Sequence, residues 1–157
     1  VSYVAFNGKV VERMPPTSGR GQIFKVFSFL ERLRGEGPTS FEDAFKTFAE
    51  LRARNRLFDM VVVDPPSFAK SASETPGALA SYARLAKAAV KVIRPHGILV
   101  FASCSSRVDA ETFFRTVCGA AAEAGRPLKI SDRTFHAPDH PAKIAEAHYL
   151  KCLYAEV

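Results

Sequence analysis

The sequence predicts an α/β fold, a layered sheet that is mostly parallel and closes with antiparallel strands. Three observations predict it. "MVVVD" (60–64) and "ILVFASCS" (98–105) are short apolar runs without a polar face, the pattern of strands covered on both sides. Between them Leu79, Tyr82, Leu85, Ala86, Ala89, Val90 and Ile93 recur at helical spacing. Two further stretches, "LKISDRTF" and "YLKCLYAEV", alternate as closing strands do. Strand, helix, strand, helix and strand in that order build a parallel crossover sheet.

Each element has a local reason. Pro76 opens the first helix behind Thr75, a suitable N-cap, and "RPHG" (94–97) closes it. "VDAETFFRTVCGAAAEAG" (108–125) is a second helix with Phe113, Phe114, Val117 and Ala121 inward and Gly125 as its stop. Before residue 41 the signals weaken. "VSYVAFNG" fits a strand and "FKVFSFLERLRGEG" a helix, with the breaker-rich "MPPTSGRGQ" between them. "SGRGQ" is no dinucleotide fingerprint, because it lacks a preceding strand and the third glycine. The organisation expected is an amino-terminal segment, 1–40, and an α/β part, 41–157.

Composition bounds the function without choosing it. With 157 residues the chain buries a core of its own, and 47% hydrophobic with 24% charged residues is ordinary for a globular protein. A net charge of +6 suits a polyanionic partner such as nucleic acid, and suits having none nearly as well. Three scattered cysteines, Cys104, Cys118 and Cys152, lack metal-ligand spacing and point to free thiols in a reducing cytoplasm. No apolar run has membrane-spanning length. The chain starts at Val1 without an initiator Met or a signal pattern, as an internal segment of a longer protein would.

Two motifs carry chemistry. In "DPPSF" (64–68) Pro65 and Pro66 have no N–H, so the chain leaves the sheet rigidly with free carbonyl acceptors. A planar base could donate an amino group to those carbonyls, stack on Phe68 and bond Asp64. The plainer reading is a strand-ending turn with a solvated aspartate. In "FASCSS" Cys104 ends the next strand at the same sheet edge, where ligands of such sheets bind. A strand-end cysteine is more often a small packed hydrophobe, and Cys118 and Cys152 are read that way.

These residues carry a resemblance. "EDAF" (42–45), "FDMVVVDPPSFAKS" (58–71), the helix with Tyr82, "GILVFASCS" (97–105), "APDHP" (137–141) and "YLK" (149–151) follow in order over about three-quarters of the chain. Together they resemble class I S-adenosylmethionine (SAM)-dependent RNA methyltransferases, specifically the bacterial 23S rRNA cytosine-C5 large-subunit family. The resemblance implies a Rossmann-like methyltransferase sheet, a SAM cofactor, 23S rRNA as partner and no metal. It implies Cys104 as nucleophile and Asp64 as its catalytic companion. Asp43 would bond the cofactor's adenine, with Asp64 and Pro65 beside the cofactor. Pro65, Pro66, Phe68 and Lys70 would contact the substrate. The "DHP" segment, Asp139 to Pro141, is a family feature of open role.

Departures are as informative. The glycine-rich turn that receives the cofactor is absent, and Ala5 stands where a ribose-binding acid would end the following strand. The amino-terminal part of the fold therefore reads as incomplete. Residues 1–157 alone are expected to bind SAM weakly and to self-associate, as a homodimer or less orderly. Two alternatives accompany the cytosine-C5 reading: base N-methylation of guanine in rRNA, which needs no thiol, and a non-catalytic remnant of the same fold.

Overall fold

The computed structural model describes residues 3–7, 9–14, 24, 25, 28, 29, 31, 41–137 and 149–157. The chain divides into two compact units, Val1–Leu51 and Arg52–Val157.

In the first unit, β1 (Tyr3–Asn7) and β2 (Lys9–Met14) form an antiparallel pair, a two-stranded sheet of their own. β1 was expected as a strand; β2 was not. The Asn7–Gly8 dipeptide between them is the hairpin signal that marks it. Phe24, Lys25, Ser28, Phe29 and Glu31 are helical, in keeping with the helix expected there. The helix α1 (Phe41–Ala53) runs across the boundary between the units.

The second unit is built on a mixed sheet of β3 (Phe58–Val63), β4 (Ile93–Ser103), β5 (Lys129–Thr134) and β6 (Lys151–Glu156), in the order β3-β4-β6-β5. β3 and β4 are parallel, with Val61 opposite Leu99 and Val63 opposite Phe101. β6 runs antiparallel to both β4 and β5, pairing Leu153 with Phe101 and Ala155 with Ile130. The α/β class and the antiparallel closing strands are as the sequence predicts.

Two helices pack on one face of this sheet. α2 (Thr75–Val90) buries Ala78, Tyr82, Leu85, Ala86, Ala89 and Val90. α3 (Ala110–Glu123) buries Phe113, Phe114, Val117, Ala120 and Ala121. Tyr82 and Phe113 meet edge to face at 5.1 Å between centroids, and both lie against Phe101 of β4. Leu99, Phe101, Leu153 and Ala155 are fully buried on that face. Full burial of such side chains is worth about 1.5–3 kcal/mol each, so this layer dominates the unit's stability.

Three local expectations need correction. α2 begins at Thr75 behind Glu74, so Thr75 is its first residue rather than its cap. The 3₁₀ turn Ala72–Glu74 precedes it, with Glu74 accepting from the N–H groups of Lys70 and Ser71. The Thr75 hydroxyl instead donates to the Arg107 carbonyl, 3.4 Å away. Secondly, Ile93 and "RPHG" belong to β4, where His96 (φ 63°) and a register shift mark a bulge. The apolar spacing of the helix simply continues into the strand. Thirdly, β3 is not covered on both faces: Val63 is buried, but Met60 and Val62 are 56% and 61% exposed. Among the described residues β3 pairs only with β4, so its apolar run lies at a sheet edge there.

Candidate active site

The site lies at the carboxyl ends of the parallel strands β3 and β4. Buried Val63 ends β3, and the chain leaves through exposed Asp64, buried Pro65 and exposed Pro66. β4 ends one strand over at buried Ser103, and half-buried Cys104 follows it. The two exits meet: Cys104 Sγ lies 4.0 Å from the Pro65 carbonyl oxygen. A proline carbonyl at a rigid exit holds its position without help from its own N–H.

The turn after β4 is pinned from several sides. Tyr82, fully buried on α2, shares a 2.8 Å hydrogen bond with Ser103 Oγ. The Ser105 N–H donates to the same Ser103 hydroxyl at 3.3 Å, and the Arg107 N–H donates to Ser105 Oγ at 3.3 Å. From β6, the Lys151 ammonium donates to the Ser105 carbonyl at 2.5 Å and to the Tyr149 carbonyl at 3.2 Å. Cys104 thus sits on a turn whose neighbours on both sides are fixed by buried polar groups. Such networks hold one geometry when every member is satisfied.

Electrostatics follow the packing. Burial pushes the Tyr82 phenol up from its ordinary value, against a smaller opposing effect of its Ser103 bond. Burial pushes Lys151 down, and the charges of Asp109 and of a Cys104 thiolate act against that. Burial raises the thiols of Cys118 and Cys152, and the Asp64 carboxylate adds to the rise at Cys152.

The other expected residues fall as follows. The Phe68 ring packs T-shaped on Tyr82 at 4.7 Å, joining "DPPSF" to α2. Lys70 is exposed, its N–H held by Glu74 at 2.6 Å. Asp43 lies in the first turn of α1, in the other unit, and its side chain is outside the described residues. So is the "DHP" segment, Asp139 to Pro141. No metal-holding group of three His, Cys, Asp or Glu occurs among the described residues. No helix among them is long and apolar enough to cross a membrane.

Lys151, Ser103, Ser105 and Tyr82 fall within the motifs that carry the resemblance, but the sequence assigns none of them a role at the site. A signal existed for Lys151: it occupies the apolar phase of "KCLYAE" with Leu153 and Ala155, where a lysine has no ordinary reason to be.

Comparison with known proteins fits the geometry. No protein-family model matches the chain. It is 38% identical over 115 residues to a ribosomal RNA large subunit methyltransferase of Deinococcus radiodurans, spanning 73% of this chain and 28% of that protein. It is 40% identical over 114 residues to ribosomal RNA large subunit methyltransferase I of Tolumonas auensis, over 71% of this chain and 29% of that one. The chain thus spans less than a third of the length of these curated relatives. Among solved structures, a candidate SAM-dependent methyltransferase from Streptococcus mutans superposes with a TM-score of 0.60 at 19% identity, over 73% of this chain and 29% of that one. A candidate methyltransferase complexed with SAH superposes with a TM-score of 0.58 at 20% identity. The fold is that of these methyltransferases.

Proposed function

We propose that this chain is a catalytic-domain segment of a SAM-dependent methyltransferase acting on large-subunit ribosomal RNA, and that it forms 5-methylcytosine through Cys104. The observation that carries the proposal is the 4.0 Å approach of Cys104 Sγ to the Pro65 carbonyl, which puts a thiol against the exit of "DPPSF". A guanine N-methyltransferase has no use for a thiol there.

The site suits such ligands. Its exposed Asp64 carboxylate, its proline carbonyls and its thiol form an acceptor-rich edge, matched to bases that present amino groups. Asp64 and Pro65 would hold the cofactor; Pro65, Pro66, Phe68 and Lys70 would hold the target nucleotide. SAM, when bound, supplies the methyl group as an electrophilic sulfonium.

The remaining chemistry belongs to the chain. Cys104, as thiolate, adds to C6 of the cytosine, and the electron pair of the C5–C6 double bond moves to C5, which takes the methyl. A base then removes the C5 proton, the double bond re-forms, and the C6–S bond breaks to return the thiolate. Covalent addition divides one difficult step into easier ones. The Asp64 carboxylate would accept from the N4 amino group and hold the base in place for the addition. The base must be unstacked to reach the site, at a cost of about a few kcal/mol.

Replacement of the thiol tests this. In the full-length gene product, Cys104→Ala should abolish 5-methylcytosine in 23S rRNA and leave SAM affinity roughly intact. Undiminished 5-methylcytosine overturns the nucleophile, and methylated guanine in its place means base N-methylation.

A further inference from the structure

Lys151 is a cation in a place that otherwise holds apolar side chains. It is 4% exposed, between the fully buried Leu153 on its own strand and the buried Ser103 it pairs with on β4. Among the described residues no carboxylate bonds it. Its ammonium donates to two backbone carbonyls, Ser105 at 2.5 Å and Tyr149 at 3.2 Å. A buried ammonium costs stability unless a nearby negative charge offsets it. A leucine or methionine would fill the same volume without that cost, so the charge needs a reason.

The groups facing it supply one. Asp109, at the start of α3, and Cys104, at the end of β4, are the charges that favour its protonated form. Asp109 is exposed and already accepts from the Thr112 N–H at 2.8 Å. Tyr82, from α2, bonds Ser103 just before Cys104, and burial raises its phenol. Cys104 lies one residue before the carbonyl that Lys151 holds. The ammonium is thus held by backbone next to the sulfur, where a positive charge favours an anion.

We propose that Lys151 is the positioning residue of Cys104: its buried ammonium fixes the Cys104–Ser105 turn through the Ser105 carbonyl and places the positive charge that balances the thiolate. This rests on Cys104 being the reactive thiol of the proposed enzyme. It concerns the sulfur itself, so it is tested without RNA or cofactor.

The test is alkylation of the full chain by iodoacetamide near neutral pH, with each cysteine followed by peptide mass spectrometry. Lys151→Gln keeps a hydrogen-bond donor but loses the charge, and Lys151→Arg keeps the charge. Cys104 alkylation should slow severalfold in Lys151→Gln and recover in Lys151→Arg. Partly buried Cys118 should keep its slow rate throughout, reporting an intact fold. Unchanged or faster Cys104 alkylation in a folded Lys151→Gln chain would mean that Lys151 only braces the turn, and would overturn the proposal. If the variant unfolds, the unaltered chain decides. A negatively charged thiosulfonate should then outpace a positively charged one at Cys104, relative to the same pair on free cysteine, and equal ratios overturn it. Loss of 5-methylcytosine activity plays no part in these outcomes, so failure here and failure of the enzymatic reading are separable.

Discussion

At the residue scale, the site depends on polar side chains set into an apolar layer, and Tyr82 is the clearest case. Its ring joins Phe68, Phe101 and Phe113, while its hydroxyl alone reaches Ser103 on the turn beside Cys104. Tyr82→Phe keeps the packing and removes that bond, at a cost of about 1 kcal/mol. The pH dependence has a definite sign. Burial raises the folded phenol above the unfolded value, so its contribution is complete below the unfolded value, about 10, and is lost as pH rises through the folded one. The stability difference between the unaltered chain and Tyr82→Phe should therefore shrink in alkaline solution. Paired urea titrations at neutral and alkaline pH measure it, and comparing the two chains cancels Lys151 and the cysteines, which titrate in both. From the sequence Tyr82 was legible only as one more apolar helix position, because spacing reports which face is buried and not what a hydroxyl reaches.

At the element scale, β4 does the most work, because it carries Cys104 and joins β3 to β6. Its bulge at Arg94–Gly97 lets it pair with β3 on one side while the His96 N–H and the Gly97 carbonyl bond Val157 on the other. Gly97 is needed there for room. A Cβ at this position would lie 2.6 Å from Ile93 Cγ2 and 3.0 Å from the carbonyl oxygens of Arg94 and Asp59. Two of those atoms are backbone and cannot step aside, so Gly97→Ala should destabilise the unit by about 1–3 kcal/mol, read as a lower urea midpoint with an unchanged slope. Gly119→Ala, in the exposed interior of α3 with nothing within 4 Å of the added Cβ, should instead stabilise by about 0.5–1 kcal/mol. Element existence was legible wherever a chemical stop signal stood in the chain. Gly125 does end α3, at φ 73° with its N–H on the Ala122 carbonyl. Asp109 caps the other end through the Thr112 N–H. The end of α2 was not legible, because Val92 and Ile93 are as apolar as the helix before them and only the third dimension separates turn from strand.

At the scale of the whole molecule, the candidate site was legible and the shelter of its strands was not. "DPPSF" and "SCS" were placed together from their positions after consecutive strands, and the parallel pairing of Val63 with Phe101 does bring them to one edge. Whether a strand is central depends on neighbours that its own residues do not name, and β3 has the composition of an inner strand without, among the described residues, a second partner. Its Met60 and Val62 leave a contiguous apolar face exposed beside an unpaired backbone edge. Such an edge accepts another strand, and nothing on it discourages pairing: Asp59, the one charged residue in β3, is tied up with Arg94 at 2.6 Å. Residues 1–157 should therefore self-associate with rising concentration. Met60→Lys combined with Val62→Lys should return the chain to monomer without loss of helix, since both side chains lie outside the α2–α3 core and lysine on an edge repels a second copy. Sedimentation velocity across a micromolar concentration series, alongside far-ultraviolet circular dichroism, reads both effects. A single monomeric boundary for the unaltered chain at every concentration would mean that its apolar strand face is covered from within.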